Sequence, residues 1–405
     1  MTETTETTEL PTFPKTRGCP FDPPAEYSRL REEQPVARVL LPTGKPAWLV
    51  TRHAYARRLL ADPRVSVDRS APGYPALVPG IAGFGRQIKG FLTWMDPPEH
   101  TTHRRMLLNE FTVRRIQAIR PQIQRIVDGA LDEMLSGERP VDLVEALAKP
   151  VPTQVICELL GVPYADRDLF HQRASVLDDR AAAPEQKIAA LREMYAYLGE
   201  LVVEKDKAPA DDLLSRLVAK YREAGIYDHE VLTGIAVLVL TGGHETTANM
   251  IALGVVALLE KPEQRAALMA DPAGAAPGAV EELLRYFSIA EYSTSRVATA
   301  DIEIDGVLIR AGEGIIALNS AADRDERVFA NPDELDIARD TGQHMAFGYG
   351  IHQCLGQNLA RLELQIVYTT LFERVPSLRL AIPFDEVPFK ESANFYGIYE
   401  VPVTW

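Results

Sequence analysis

From Val231 to Leu259 the chain is apolar on every side, with its polar residues gathered in the middle as TGGHETTAN, residues 241–249. Apolar positions recurring at three and four residues specify a helix, and one this apolar is either a membrane span or the axis of a large helical domain. His244 and Glu245 decide between the two. An acid near a bilayer centre costs roughly 3 kcal/mol even on permissive insertion scales, so the segment reads as a long buried helix. Gly242 and Gly243 each cost about 1 kcal/mol relative to alanine inside a helix, and something at that point must compensate.

The rest of the chain supports a mainly α fold with small β-sheets. Helical periodicity runs from Arg104 to Leu135 and from Ala189 to Glu204. Strand signals are confined to PAWLVT, from Pro46, and ADIEIDGVLIRAGEGIIALN, where Ile302, Ile304, Val307 and Ile309 flank an Asp305-Gly306 turn. Asp325 to Gly350 reads as an ordered, irregular connection pinned by Phe329, Leu335 and Ile337. With no repeat and no Gly/Ser linker, residues 18–405 form one domain. The acidic, threonine-rich residues 1–17 read as a disordered lead with no apolar core for a signal or anchor. GFGRQIKG, residues 83–90, lacks the third glycine and preceding strand of a dinucleotide fingerprint. A net charge of -14 disfavours nucleic acid and anionic membranes as partners. Three cysteines at wide spacing, Cys19, Cys157 and Cys354, make neither a disulfide framework nor a zinc site, and suit a reducing cytoplasm.

FGYGIHQCLG, Phe347 to Gly356, stands directly before a helical run. Cys354 is therefore expected at or just before a first turn, where unsatisfied N–H groups and the helix dipole favour a thiolate over a thiol of pKa about 8.5. Glycines at 348, 350 and 356 let a large flat group approach the backbone. The residues alone leave three readings of the cysteine: a small buried hydrophobe, a nucleophile, or a ligand. No histidine with an orienting partner is identifiable for the nucleophile.

Phe347, Gly350, His352, Cys354 and Gly356 together resemble the haem-binding signature of the cytochromes P-450 at every defined position. The resemblance extends from Cys19-Pro20 to the C-terminus and is nearest to soluble bacterial members of the actinomycete type. It implies a cytochrome P-450 fold with haem b (iron protoporphyrin IX) held between the long central helix and the helix after the cysteine loop. Cys354 would be the axial thiolate, with Phe347 packed on its loop beside Gly348 and His352 near a propionate. TGGHETT resembles the family's oxygen-binding groove, in which Gly242 and Gly243 let the helix open locally while Thr246 and Glu245 deliver protons. His100 and Arg104, in DPPEHTTHRRML, and Arg296, in STSRVA, would meet the propionates. Glu282 and Arg285, in AVEELLRYF, would join Arg339 in a structural network.

The resemblance further implies a monooxygenase that inserts one atom of O2 into a hydrophobic small molecule, by hydroxylation or epoxidation. A polyketide, macrolide or xenobiotic is expected. With no reductase domain in the chain, electrons would come from a ferredoxin and its NAD(P)H-dependent reductase, docking on basic residues drawn from Arg104, Arg105, Arg114, Arg115 and Arg361. Residues 79–95, 170–181, 289–294 and 394–398 would surround the substrate, with Ile289, Ala290 and Phe395 as lining and Glu291, Tyr292 and Asn394 adding polarity. A monomer is expected. The alternatives are an H2O2-driven peroxygenase and a non-enzymatic haem-based binding or sensing protein.

Overall fold

The apolar stretch forms a single helix, His229–Glu260, whose first turn is capped by Asp228 accepting from the N–H groups of Glu230 and Val231. The computed structural model describes residues 10–78 and 88–405. In chain order the helices before it are α1 (Ala25–Glu33), α2 (His53–Leu60), α3 (Glu99–Leu108), α4 (Val113–Ala118), α5 (Arg120–Ser136), α6 (Pro150–Leu160), α7 (Arg167–Asp178), α8 (Pro184–Lys207) and α9 (Leu213–Glu223). The central helix is α10. After it come α11 (Pro262–Ala270), α12 (Pro272–Phe287), α13 (Asn319–Ala322) and α14 (Gln357–Arg374). α10 packs on α6, α8 and α14, and α14 in turn packs on α5 and α12. One large apolar cluster runs through these helices. No helix among the described residues is long and apolar enough to cross a membrane.

The periodic run from 104 to 135 is three helices. Thr112 leaves helical geometry and caps α4, its hydroxyl accepting from Arg115 N–H, and Pro121 in the first turn restarts the chain as α5. The apolar period survives both breaks because all three helices face one core, so pattern alone could not show them.

The strands are β1 (Val36–Leu40), β2 (Pro46–Val50), β3 (Val65–Ser66), β4 (Val141–Asp142), β5 (Ser295–Ala298), β6 (Ile302–Ile304), β7 (Val307–Ile309), β8 (Gly314–Ala317), β9 (Arg379–Leu380) and β10 (Pro402–Thr404). The largest sheet has the order β1-β2-β8-β5-β3, with β2 and β8 parallel. β6 and β7 form the expected hairpin, with Asp305 and Gly306 both at positive φ. β5 and β8 are buried throughout and so carry no alternation to read.

The lead requires a correction. Phe13 is buried against Tyr27 and Tyr292, and its N–H donates to Leu40 O at 2.9 Å. Thr12 to Arg17 are thus part of the domain; residues 1–9 lie outside the described residues, as do 79–87, which include most of GFGRQIKG and part of the expected pocket loop. The 325–350 connection is irregular as read, with Phe329, Leu335 and Ile337 all buried.

Candidate functional site

The cysteine loop is closed by its own backbone: Cys354 N–H donates to Phe347 O and Gly348 N–H to Met345 O, each at 2.8 Å. Gly348 and Gly350 have φ of 71° and 77°. At Gly350 a Cβ would also stand 2.4 Å from Leu60 O, so only glycine fits. Gly356 is the cap of α14, which places half-buried Cys354 just before the first turn. The expected lowering of its pKa does not follow. Burial pushes the thiol up and outweighs the Gly356 and Gln357 N–H groups, Arg104 and Arg361, which all favour the thiolate. Among the described residues no group of three or more His, Cys, Asp or Glu side chains could hold a metal. A metal at Cys354 must therefore bring most of its own ligands, as a haem iron does.

Four cationic or neutral-donor side chains gather beside the loop. His100, on α3, is buried with its ring 4.2 Å from that of His352. Arg104, one turn further along α3, donates to Gln353 O at 2.5 Å. Arg296, on β5, is buried and donates to Ser295 O at 2.8 Å. Burial, helped by neighbouring arginines, pushes His100 down to about 4 and His352 to about 3. Neither Nε2 has a partner among the described residues. No carboxylate there bonds to any of the four, and Asp96 is already held by the Ser66 hydroxyl and Val67 N–H. Buried donors are normally satisfied, so this set fits an anion supplied from outside the chain, and the carboxylates of a haem match it. Gly242, Gly348 and Gly356 also leave open space where a Cβ would be.

On α10 the two glycines have different roles. A Cβ at Gly243 would lie 2.8 Å from Ile156 Cδ1, so that glycine permits close packing on α6, whereas Gly242 is exposed midway along an otherwise buried helix. The expected local opening is absent: the helix is continuous, and Thr246 Oγ1 donates 2.7 Å to Gly242 O. Glu245 is buried and bonds to Lys390 Nζ, which also reaches Asn249 Oδ1 at 2.9 Å. Glu245 and Thr246 are not hydrogen-bonded to each other. Lys390, Asn249 and Asp178 were not legible as site residues, because Lys390 lies 145 positions from its partner with no motif around it.

Glu282, Arg285 and Arg339 come together. Arg285 makes a two-point contact with Glu282 at 2.7 and 2.8 Å, both fully buried, and Arg339 Nε adds 3.2 Å. Arg285 also donates to Asp323 O and Pro332 O at 2.8 Å, so the network ties α12 to the irregular connection. Of the pocket candidates, Ile289 is buried in the main cluster and Ala290 is half-buried. Half-buried Phe395 packs in none of the three clusters, and Tyr396 N–H donating to Ile289 O joins the two segments. Glu291 and Tyr292 face Ser320, Arg17 and Phe13 at a cavity of about 100 Å³ under the N-terminal segment, which Ile289 also lines. Two patch candidates also move: Arg104 turns inward, and Arg361 is paired with Glu281 at 2.6 and 2.9 Å.

The family model for cytochrome P450 matches residues 276–390. Over 413 aligned residues, all of both chains, the sequence is 49% identical to cytochrome P450 105A3 of Streptomyces carbophilus. The chain belongs to the cytochrome P450 family. This P450 is also 47% identical to the vitamin D3 dihydroxylase of Streptomyces griseolus, over 99% of this chain and 98% of that one. The crystal structure of CYP105P1 in complex with filipin I superposes with a TM-score of 0.91 at 43% identity, covering 98% of this chain and 99% of the other. The P450 fold, an iron haem cofactor and a monooxygenase class of oxidoreductase follow from membership.

Proposed function

We propose that this P450 binds haem b through Cys354, receives electrons from NAD(P)H through a ferredoxin and its reductase, and oxidises a large, partly oxygenated hydrophobic molecule in the cytoplasm as a monomer. The observation that carries the cofactor reading is the set of His100, Arg104, Arg296 and His352 around the Cys354 loop, two arginines bonded only to backbone carbonyls and two histidines whose Nε2 atoms have no partner among the described residues. These four would hold the propionates, Cys354 would give its sulphur to iron, and Phe347 would wedge its ring between the loop and the Arg361 guanidinium, 4.6 Å away. Haem, when bound, supplies the activation of O2. Thr246 and Glu245 would pass on the protons that this chemistry consumes, and their presence favours the monooxygenase over a peroxide-driven enzyme or a sensor. A sterol-like or macrolide-like substrate agrees with the names of the relatives and with an unclustered Phe395.

The electron partner is supported by the surface beside the cysteine loop. Arg105, Arg114 and Arg115 are exposed on α3 and α4, as are Leu108 (45%) and Val113 (60%), and Ile351 on the loop itself is 52% exposed. Arg104 donating to Gln353 O, and Asn358 donating to Phe111 O, hold α3, α14 and the cysteine loop together beneath that patch. A basic rim around apolar residues suits an acidic ferredoxin. The first test is the reduced carbon monoxide difference spectrum of the purified protein beside Cys354→Ala. A strongly red-shifted Soret band in the parent alone is the expected result; an unshifted band that survives in the variant overturns the ligand assignment.

A further inference from the structure

The cavity of about 100 Å³ under the N-terminal segment is walled by four stretches far apart in the chain: residues 14–17, the α7–α8 connection, the segment just before β5, and residues 391–396. Residues 389–398 form a hairpin, closed by the antiparallel pairing of Phe389 with Ile398 and by Lys390 N–H donating to Gly397 O at 2.8 Å. The walls are bonded to one another. Arg180 N–H donates to Ser392 O at 3.0 Å and its Nη2 to Glu391 O at 2.7 Å, while the Tyr396 hydroxyl donates to Pro20 O at 2.7 Å. A space framed in this way keeps its shape.

Arg17 is the wall residue left without a full set of partners. Its side chain is only 8% exposed and sits over the Tyr396 ring, 4.0 Å from the centroid, with Nη1 donating to Asp22 O at 3.0 Å. Nη2 is buried and donates to nothing among the described residues. Glu291 Oε2 stands 3.7 Å away, too far for a hydrogen bond, and Glu291 Oε1 accepts from the Ser320 hydroxyl at 2.8 Å. Arg17 and Glu291 both line the cavity, so they balance each other's charge across it without touching.

A buried donor with no acceptor calls for one from outside the chain. An anion placed against Arg17 would also meet the carboxylates of Glu291 and Glu391, and a cation placed against Glu291 would meet Arg17, Arg180 and Lys15. A neutral hydroxyl escapes both objections, because its oxygen accepts from Nη2 while its hydrogen is donated to Oε2. The volume equals about three waters at roughly 30 Å³ each, enough for the end of a molecule and too little for a whole drug-sized one. Ile289 and Tyr396 join this space to the expected substrate wall: Ile289 is a lining candidate, Tyr396 follows Phe395, and Tyr396 N–H donates to Ile289 O.

We propose that the cavity is a subsite for a neutral, hydroxyl-bearing arm of the substrate, with Arg17 Nη2 donating to the hydroxyl oxygen and Glu291 Oε2 accepting from the hydroxyl. The proposal rests on the reading of Ile289 and Phe395 as part of the substrate wall. Arg17 is then a specificity-determining residue supplied by the N-terminal segment, which favours oxygenated substrates over fully apolar ones of the same shape.

The test uses 1,2-propanediol as the probe, with acetate and methylammonium as charged controls, on the haem-loaded protein. Saturation-transfer NMR should show the diol bound to the parent, at least about fivefold more weakly to Arg17→Met, the scale of one lost hydrogen bond, and neither control bound. Should Arg17→Met loosen the N-terminal segment, Ala393→Leu fills the cavity while leaving its charges, and the diol signal should vanish there too. A crystal soaked in the diol should place a hydroxyl within hydrogen-bond distance of Arg17 Nη2 and Glu291 Oε2. Equal binding to parent and both variants, preference for acetate, water alone in the cavity, or binding at crystal concentration only each overturns the proposal. The wall reading is checked apart, by spectral titration of the haem with 4-phenylimidazole in Ile289→Phe. An affinity equal to the parent's removes Ile289 from the substrate wall even if the diol binds, whereas a weakened one beside an unbound diol removes the subsite alone.

Discussion

Glu363 is a fully buried carboxyl on α14 whose Oε2 finds no partner among the described residues, and burial alone drives its pKa well above the usual range. Burial thus favours its neutral form in the folded chain. A folded-state proton affinity above that of the unfolded chain contributes fully below the unfolded pKa, near 4.5, and is lost as pH rises towards the folded value. Replacement by methionine, similar in shape and without the stranded oxygen, should stabilise by about 1–2 kcal/mol, with the gain larger at a pH of about 8 than at about 4. Thermal melts of the parent and Glu363→Met across that range check both sign and trend; a gain that shrinks with pH contradicts the assignment. At this scale the sequence was legible where chemistry is local. Cys354, His352 and Phe347 announce themselves through fixed spacing, whereas Glu363 looks like any surface acid of a helix until its neighbours are known.

The central helix shows at the next scale how packing distributes the cost of small residues. A Cβ at Gly234 would sit 1.9 Å from Lys89 O, and one at Gly254 would sit 2.1 Å from the Tyr368 hydroxyl, which bonds to Met250 O. Gly242 has nothing within 4 Å. Gly254→Ala and Gly234→Ala should each cost more than about 2 kcal/mol through overpacking, while Gly242→Ala should raise stability by up to about 1 kcal/mol from helix propensity and, if that open face receives the haem as proposed, still impair turnover. Urea unfolding of the three variants, set against their activity, tests the contrast; equal stability losses would mean Gly242 is packed like the others. The helix itself was readable from its period. Its contacts were not, because Gly242 and Gly243 are identical in sequence while only Gly243 meets Ile156. The same limit hid β5, buried on both faces, and the two breaks that divide 104–135.

Over the whole molecule, a chain of net charge -14 still exposes arginines on α3 and α4, the helices bonded to the cysteine loop and α14 through Arg104 and Phe111. With Arg104 turned inward and Arg361 paired with Glu281, Arg105, Arg114 and Arg115 are the exposed candidates that remain, and Glu110 lies 3.9 Å from Arg115. Charge reversal at Arg105 or Arg115 should slow reduction by an acidic ferredoxin several-fold at low salt, with the difference closing above roughly 0.5 M as screening shortens the field. Stopped-flow reduction at two ionic strengths measures it, and an unchanged rate at low salt removes the patch from the docking site. Fold class was legible at this scale because every landmark follows one order along the chain. The pairing of residue 390 with residue 245 was not, since only the folded path of the C-terminal hairpin brings them together.

That hairpin binds two properties into one part. Its tip carries Phe395, free of the apolar clusters, and its base carries the lysine on the acid. Were Phe395 to meet the substrate and Glu245 to pass protons, as proposed, exchanging the tip residue would disturb both at once. On that reading selectivity and efficiency would be inherited as a linked trait, because Asn249 and Asp178 both bond to the backbone of Phe395.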